Sequence, residues 1–241
     1  MLYHRNQVTP FVLLFEGRAG STFLIEHLDS HPQIRAHKEI LGPLRKDPPQ
    51  AQLDRTRDVL TRRLIHRYKA VGFKTKLRIL NDPEGFSALL HELDVKIIHL
   101  KRRNRVKEAL SELLSNILKS RINDYNIYDS KKRLDPIHLD YKKFNWTLRF
   151  REDLDSKLDE YISKLKLPVL SIIYEDILLG LDDQLNRIFS FINVKKAKTY
   201  SKMVKHTNED LKKVITNFSE IKDQYVHTKY ETMFDEVLLS H

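Results

Sequence analysis

The order of apolar and polar positions along the chain predicts strands alternating with helices. Val8 to Phe15 is a run rich in Val, Leu and Phe that ends at Glu16-Gly17, the pattern of a buried strand closed by a turn. Phe23, Leu24, Ile25 and Leu28 then recur at helical spacing until His31-Pro32 stops the run, which predicts a helix over Ser21 to Ser30. Leu53, Leu60 and Leu64, set among many Arg, predict an exposed amphipathic helix from Ala51 to Lys69. Ala70 to Thr75 reads as a second strand. Pro83 to Leu93 reads as a helix with Pro at its favoured first position, and the β-branched segment Val95 to Leu100 as a third strand.

A helix from Asn104 or Arg105 to Arg121 and a polar loop from Asn123 to Pro136 come next. From Asp140 to Leu165 a long helix carries Phe144, Leu148, Leu154, Leu158, Ile162 and Leu165 on one stripe, and Trp146, set among Tyr141, Phe144 and Phe150, is expected in the core. Pro168 to Tyr174 predicts a fourth strand, with Pro at the end where no ladder donor is lost. Shorter helices are expected over Asp182 to Ile192, Asn208 to Asn217 and Glu231 to Leu239. Strands separated by helices pair in parallel, with crossover helices on both faces. The expected class is therefore α/β: one three-layer domain over residues 1–241, a central parallel sheet flanked by helices. In such sheets ligands bind beyond the carboxyl ends of the strands, after Phe15, Phe73, Leu100 and Ile173.

Composition narrows the chemistry. The 241 residues are 41% hydrophobic and 32% charged, enough for a folded core. The absence of Cys excludes disulfides, thiolate metal sites and cysteine nucleophiles. No His-Glu-x-x-His spacing and no nucleophile elbow occurs, so neither a metal site nor a hydrolase triad is expected. The apolar runs fall far short of the roughly 18 residues of a membrane span, and Met1 to Pro10 lacks the pattern of a secretion signal. A cytoplasmic protein without a membrane span is the expectation. Lys and Arg number 43 against 33 Asp and Glu, a net charge of +10 that calls for an anionic partner. A basic nucleic-acid-binding protein is the alternative reading. The runs Arg62 to Lys69 and Lys195 to Lys205 show neither a known reading motif nor a basic face with aromatic stacking, so no nucleic-acid partner is expected.

Two segments after strands carry the sharper signal. Two of the chain's 6 Gly fall in Glu16-Gly17-Arg18-Ala19-Gly20-Ser21-Thr22. Glycines there let the backbone turn tightly, and the following helix start offers unpaired N–H groups to an anion. Ser21 and Thr22 add hydroxyls, and Arg18 a cation suited to phosphate or sulfate. A plain strand-to-helix turn with a surface Arg is the competing reading. The loop Lys of a P-loop nucleotidase is missing, which disfavours ATP or GTP. After the third strand, five of the seven residues from Lys101 to Lys107 are cationic, a density expected to need an anion at a buried strand end. Ser111 follows two helical turns later.

Together these segments resemble PAPS-dependent sulfotransferases, of the carbohydrate type and similar bacterial enzymes, which use 3′-phosphoadenosine 5′-phosphosulfate (PAPS). Gly17-Arg18-Ala19-Gly20-Ser21-Thr22 is similar to the 5′-phosphosulfate loop, with Ala19 where a hydroxyl residue is usual. The Arg-rich turn resembles the 3′-phosphate site, in which either Arg102 or Arg103 pairs with Ser111. Gly72-Phe73-Lys74, Ile173-Tyr174-Glu175-Asp176, and Lys205-His206-Thr207 through Asn217-Phe218 resemble three further family segments, the last closing over the nucleotide. The resemblance implies a P-loop-like fold, PAPS as co-substrate, no metal, and transfer to a hydroxyl of a carbohydrate or other small acceptor. It further implies that Gly17, Arg18, Ala19, Gly20, Ser21, Thr22, Arg102, Arg103, Ser111 and Lys205 serve the donor, with Arg18 stabilising the leaving oxygen. Glu39 is the expected base and His37 its competitor; His37, Lys74 and Lys76 are expected near the acceptor, while Glu175 and Asp176 are expected to hold the fold.

Overall fold

The computed structural model describes residues 8–61, 68–123, 134–203 and 210–238. Five strands form one parallel sheet in the order β2-β3-β1-β4-β5: β1 Thr9–Phe15, β2 Ile34–His37, β3 Ala70–Thr75, β4 Lys96–Lys101 and β5 Val169–Ile173. The central strand β1 is apolar on both faces because both are covered, as parallel sheets require. It pairs with β3 on one side, Leu13 opposite Lys74, and with β4 on the other, Phe15 opposite Leu100. All three therefore end at one edge, where their last residues meet.

Helices α1 Ser21–Ser30, α6 Tyr174–Leu179 and α7 Leu181–Phe191 pack on one face through Leu24, Ile25, Leu28, Ile177, Ile188 and Phe189. On the other face lie α2 Pro49–Thr61, α3 Pro83–Glu92 and the C-terminal half of α5 Tyr141–Leu165, through Val59, Phe86, Leu158 and Ile162. This makes the three-layer α/β sandwich that the alternation predicts. A third apolar cluster joins α4 Arg105–Ile122, the first half of α5 and residues 211–234, including α8 Phe218–Asp223, around Leu110, Phe144, Tyr225 and Phe234.

Several expectations need correction. The sheet has one strand more than the pattern shows, because β2 is short and holds its place by pairing with β3. The predicted helix over Asn208 to Asn217 is, among the described residues, a single 3-10 turn at Leu211–Lys213. Beyond it the backbone is diverted: Val214 accepts from the Ile137 N–H, and Thr216 donates to the Ile137 carbonyl, each at 2.9 Å. Glu231 to Leu239 likewise shortens, among the described residues, to a 3-10 turn at Glu231–Phe234. Neither segment has an apolar stripe long enough to outweigh local pairing. Helix α2 begins at Pro49 and is described to Thr61, while Tyr68 and Lys69 are not helical. Trp146 is not in the core; it is 64% exposed and stacks on Phe150 at 5.0 Å. The buried face of α5 runs through Phe144, Thr147, Leu148, Arg151 and Leu154, and Trp146 falls off that stripe. No described helix is long and apolar enough to cross a membrane.

Candidate functional site

The loop between β1 and α1 reverses direction through two left-handed residues, Arg18 at φ 69° and Gly20 at φ 78°. Gly20 caps α1, and a Cβ there would come closer than 3.0 Å to the Tyr174 ring, a separation real Cβ contacts do not show. Both the dihedral and the ring demand glycine. No side chain caps α1, whereas Asp82, Asn104 and Asp140 cap α3, α4 and α5. The first-turn N–H groups of α1 are thus left to backbone geometry alone, at the positive end of the helix dipole.

Lys74 reaches this helix start from β3. Its buried ammonium donates to Thr22 Oγ1 at 2.8 Å and Ser21 Oγ at 3.2 Å. Burial, reinforced by the neighbouring Lys76 charge and opposed by Glu39, pushes the Lys74 pKa down to about 8. Glu39, in the turn after β2, accepts from Lys76 at 2.8 Å and lies 3.6 Å from Lys74. Burial alone would raise its pKa, but the Lys76 and Lys74 ammoniums outweigh that and hold it below the usual value. One ammonium therefore links the helix start to the carboxylate. His37 ends β2, two residues before Glu39; burial first, then Arg35, lowers its pKa and keeps the imidazole neutral at pH 7.

Arg18 extends to α4 and donates from Nε to Ser111 Oγ at 3.0 Å. Burial lowers its pKa to about 10 against the opposing pull of Glu112, so it remains a cation at neutral pH. Arg102 returns the contact, donating to the Arg18 carbonyl at 3.1 Å, and its guanidinium lies 5.0 Å from the centre of the Tyr174 ring. The two segments singled out in sequence are therefore joined at Arg18. Arg103 lies 3.6 Å from Asp176. Glu175 accepts the backbone N–H groups of Arg103 at 2.8 Å and Asn104 at 3.1 Å, pinning the β4–α4 turn. Ala19 is buried beneath the loop. Lys205 lies outside the described residues.

The cationic run has a different explanation from the one its sequence invites. Lys101 pairs with Asp159 at 2.7 Å, Arg102 lies 3.7 Å from Glu175, and Arg105 meets Glu108 at 2.8 Å and also Asp155. The chain's own carboxylates supply counter-charge at this strand end, which the density of Lys and Arg had assigned to a ligand.

Three functional neighbours escape sequence reasoning. Arg151 of α5 is fully buried and donates to the Gly17 carbonyl and, at 2.8 Å, to Glu108. Burial disfavours its charge, yet Glu108 more than compensates and holds its pKa above the usual value. Glu16 is equally buried, and burial raises its pKa against the opposing Arg78 and Arg151 charges. Arg78 completes this group, 3.4 Å from Glu16. A signal for Arg151 existed: it falls on the apolar stripe of α5 between Leu148 and Leu154, where an isolated cation needs a buried partner. Among the described residues, no group of acidic and His side chains is arranged to hold a metal ion.

No protein-family model matches the sequence, and no curated protein matches it. The fold is similar to that of a sulfotransferase from Alicyclobacillus acidocaldarius, with a TM-score of 0.53 at 14% identity over 94% of this chain and 95% of that one. Looser similarities are to the sulfotransferase domain of the curacin biosynthetic pathway, at TM-score 0.48, 13% identity and 98% and 93% coverage. A mouse sulfotransferase complexed with PAP follows at 0.47 and 17%, covering 90% of this chain and 67% of that one. The chain thus shares the α/β fold of a sulfotransferase, with its central parallel sheet flanked by helices.

Proposed function

We propose that this protein is a sulfotransferase that moves the sulfuryl group of PAPS to a hydroxyl of a carbohydrate or other small acceptor. The observation that carries the reading is the junction at Arg18. Arg18 joins the loop to the Arg102–Ser111 segment of β4–α4, and the uncapped helix start that the loop leads into is bonded by the buried Lys74. Such a group of donors suits a phosphate-bearing ligand.

PAPS brings an activated sulfuryl group, released as its S–O bond to the 5′-phosphate breaks and one to the acceptor oxygen forms. Toward that ligand the backbone N–H groups of Gly20, Ser21 and Thr22 bind the 5′-phosphate, with Gly17 and Ala19 shaping the turn. Arg18 and Lys74 offset negative charge as it develops on the leaving oxygen, in a setting already organised before the reaction. Ser111, with Arg102 or Arg103, binds the 3′-phosphate, and Lys205 approaches from the late segment. Glu39 takes the acceptor proton. Its ionised state is secured by Lys76 and Lys74, and its 3.6 Å separation from Lys74 keeps it beside the donor loop. His37, neutral and two residues away, is the competing base. Transfer is in-line, and Arg18, Lys74 and Lys76 supply the positive charge without a metal.

Thermal unfolding with 3′-phosphoadenosine 5′-phosphate (PAP) against ATP tests the donor assignment. At about 100 times its Kd a ligand adds roughly 2.7 kcal/mol, a rise of about 5–10 °C here. A shift with ATP alone overturns the reading. Labelled PAPS with a hydroxyl acceptor panel then tests transfer, which Arg18→Ala abolishes and Glu39→Gln slows while leaving PAP binding intact.

A further inference from the structure

The turn after β3 carries another cation at the same strand ends, and only one edge of it is committed. Arg78, in the 3-10 turn Leu77–Ile79, crosses the end of β1 with Nε 3.4 Å from Glu16 Oε2. Its Nη2 lies 3.6 Å from the position a Cβ on Gly17 would take, next to Arg18. Glu16 is 1% exposed and neither of its oxygens accepts a hydrogen bond, so this carboxylate is spent on anchoring guanidinium charge. The other edge of Arg78 meets no carboxylate among the described residues, while its side chain keeps 37% exposure. A planar guanidinium held on one side by Glu16 and partly exposed on the other can take an oxyanion.

The cation is also tied to the proposed base. Gln52, buried in α2, donates to the Ile79 carbonyl at 2.9 Å and the Leu41 carbonyl at 3.3 Å, and accepts from the Asn81 N–H at 2.8 Å. One amide thus clamps the segment that carries Arg78 to the segment that follows Glu39. Lys76, two residues before Arg78, donates to Glu39 from the same turn. Of the three cations that act on Glu16, Arg151 also pairs with Glu108 and Lys76 with Glu39, whereas Arg78 has Glu16 as its carboxylate partner among the described residues.

We infer that the acceptor carries an anionic group, a carboxylate, sulfate or phosphate, beside its reacting hydroxyl, and that Arg78 binds this group while Glu39 faces the hydroxyl. The inference rests on the sulfotransferase reading for the identity of the hydroxyl. Recognition of the anion by Arg78 is measurable apart from it.

The test is equilibrium binding, followed by NMR, of four probes to PAP-saturated protein: glucuronic acid and glucose 6-sulfate, against the neutral methyl glucuronate and glucose. The anionic probes should bind about tenfold or more tightly than their neutral partners, the scale of one charge-assisted hydrogen bond. Removing Arg78 alone strands the Glu16 carboxylate, so the variant is Arg78→Ala with Glu16→Gln, checked for a native fold by circular dichroism. In it the preference should fall below about twofold. Equal binding of acids and neutral probes by the unmodified protein, or no binding of either, overturns the inference. So does a preference that survives in the double variant, because the anion then sits on other cations. If PAP itself does not bind, the sulfotransferase reading fails, and the same titrations on the free protein still decide the role of Arg78.

Discussion

Gly20→Ala tests the geometry of the donor loop most directly. The substitution keeps charge and hydrogen-bonding groups unchanged, so its cost comes from shape alone. Holding a non-glycine residue at φ 78° costs roughly 1–2 kcal/mol. The new methyl would also overlap Cδ2 and Cε2 of Tyr174, a ring that must move because the opposing atoms belong to the helix cap. Overpacking of this kind costs about 1–3 kcal/mol. The total of about 2–5 kcal/mol corresponds to a fall in Tm on the order of 10 °C for a domain of this size. Displacing Tyr174 also disturbs Arg102, 5.0 Å from its ring, and through it the bond to the Arg18 carbonyl, so the PAP-induced rise in Tm should shrink in the variant. The assay is thermal unfolding with and without PAP. Gly42→Ala serves as control, since a Cβ there meets nothing within 4 Å, and it should stay within about 0.5 kcal/mol of the parent. Tyr174→Ala combined with Gly20→Ala removes the overlap but not the dihedral strain, and a coupling of about 1–3 kcal/mol is expected. A Gly20→Ala protein that melts with the parent, or a coupling near zero, would refute the reasoning.

Lys74 and Glu175 give two further predictions. The Lys74 pKa of about 8 lies below the ordinary lysine value of 10.5, so the burial cost is fully present below pH 8 and relieved as pH rises toward 10.5, where the unfolded chain binds more protons. Anion binding needs the ammonium, so PAP affinity measured by calorimetry from pH 7 to 9.5 should fall as pH passes 8, and Lys74→Met should flatten the profile; parallel profiles would remove Lys74 from the donor site. Glu175→Gln leaves one acceptor for the two N–H groups of Arg103 and Asn104, stranding a buried donor at a cost of about 1–3 kcal/mol. Faster hydrogen exchange at those two amides is the expected signature, and unchanged exchange would show that other contacts hold the turn.

Much of this protein is written in local pattern. The runs ending at Phe15, Thr75 and Leu100, the helix stop at His31-Pro32 and the stripe of α5 each reflect burial of one face, which spacing along the chain records directly. Glycine spacing and Arg18 marked the loop for the same reason: a tight left-handed turn before a helix has few residue choices. Strand β2 is illegible because its alternation of buried Ile34 and Ala36 with Arg35 and His37 spans only four residues, too short a run to stand out, and pairing with β3 makes them a strand.

The sequence by itself determined the alternation of strands and helices and the turn at Gly17 to Gly20. Only the tertiary structure decided which charges meet. Arg18 reaches Ser111, Lys74 reaches Thr22, and Arg151 reaches Gly17 across 93, 52 and 134 residues of chain. It also assigned cations of the β4–α4 turn to internal carboxylates and, among the described residues, left Arg78 with Glu16 as its one carboxylate partner. Periodicity reports which face of an element avoids water. Ion pairing depends on which elements pack together, and side chains on separate elements become neighbours only when the sheet has brought its strand ends to one edge.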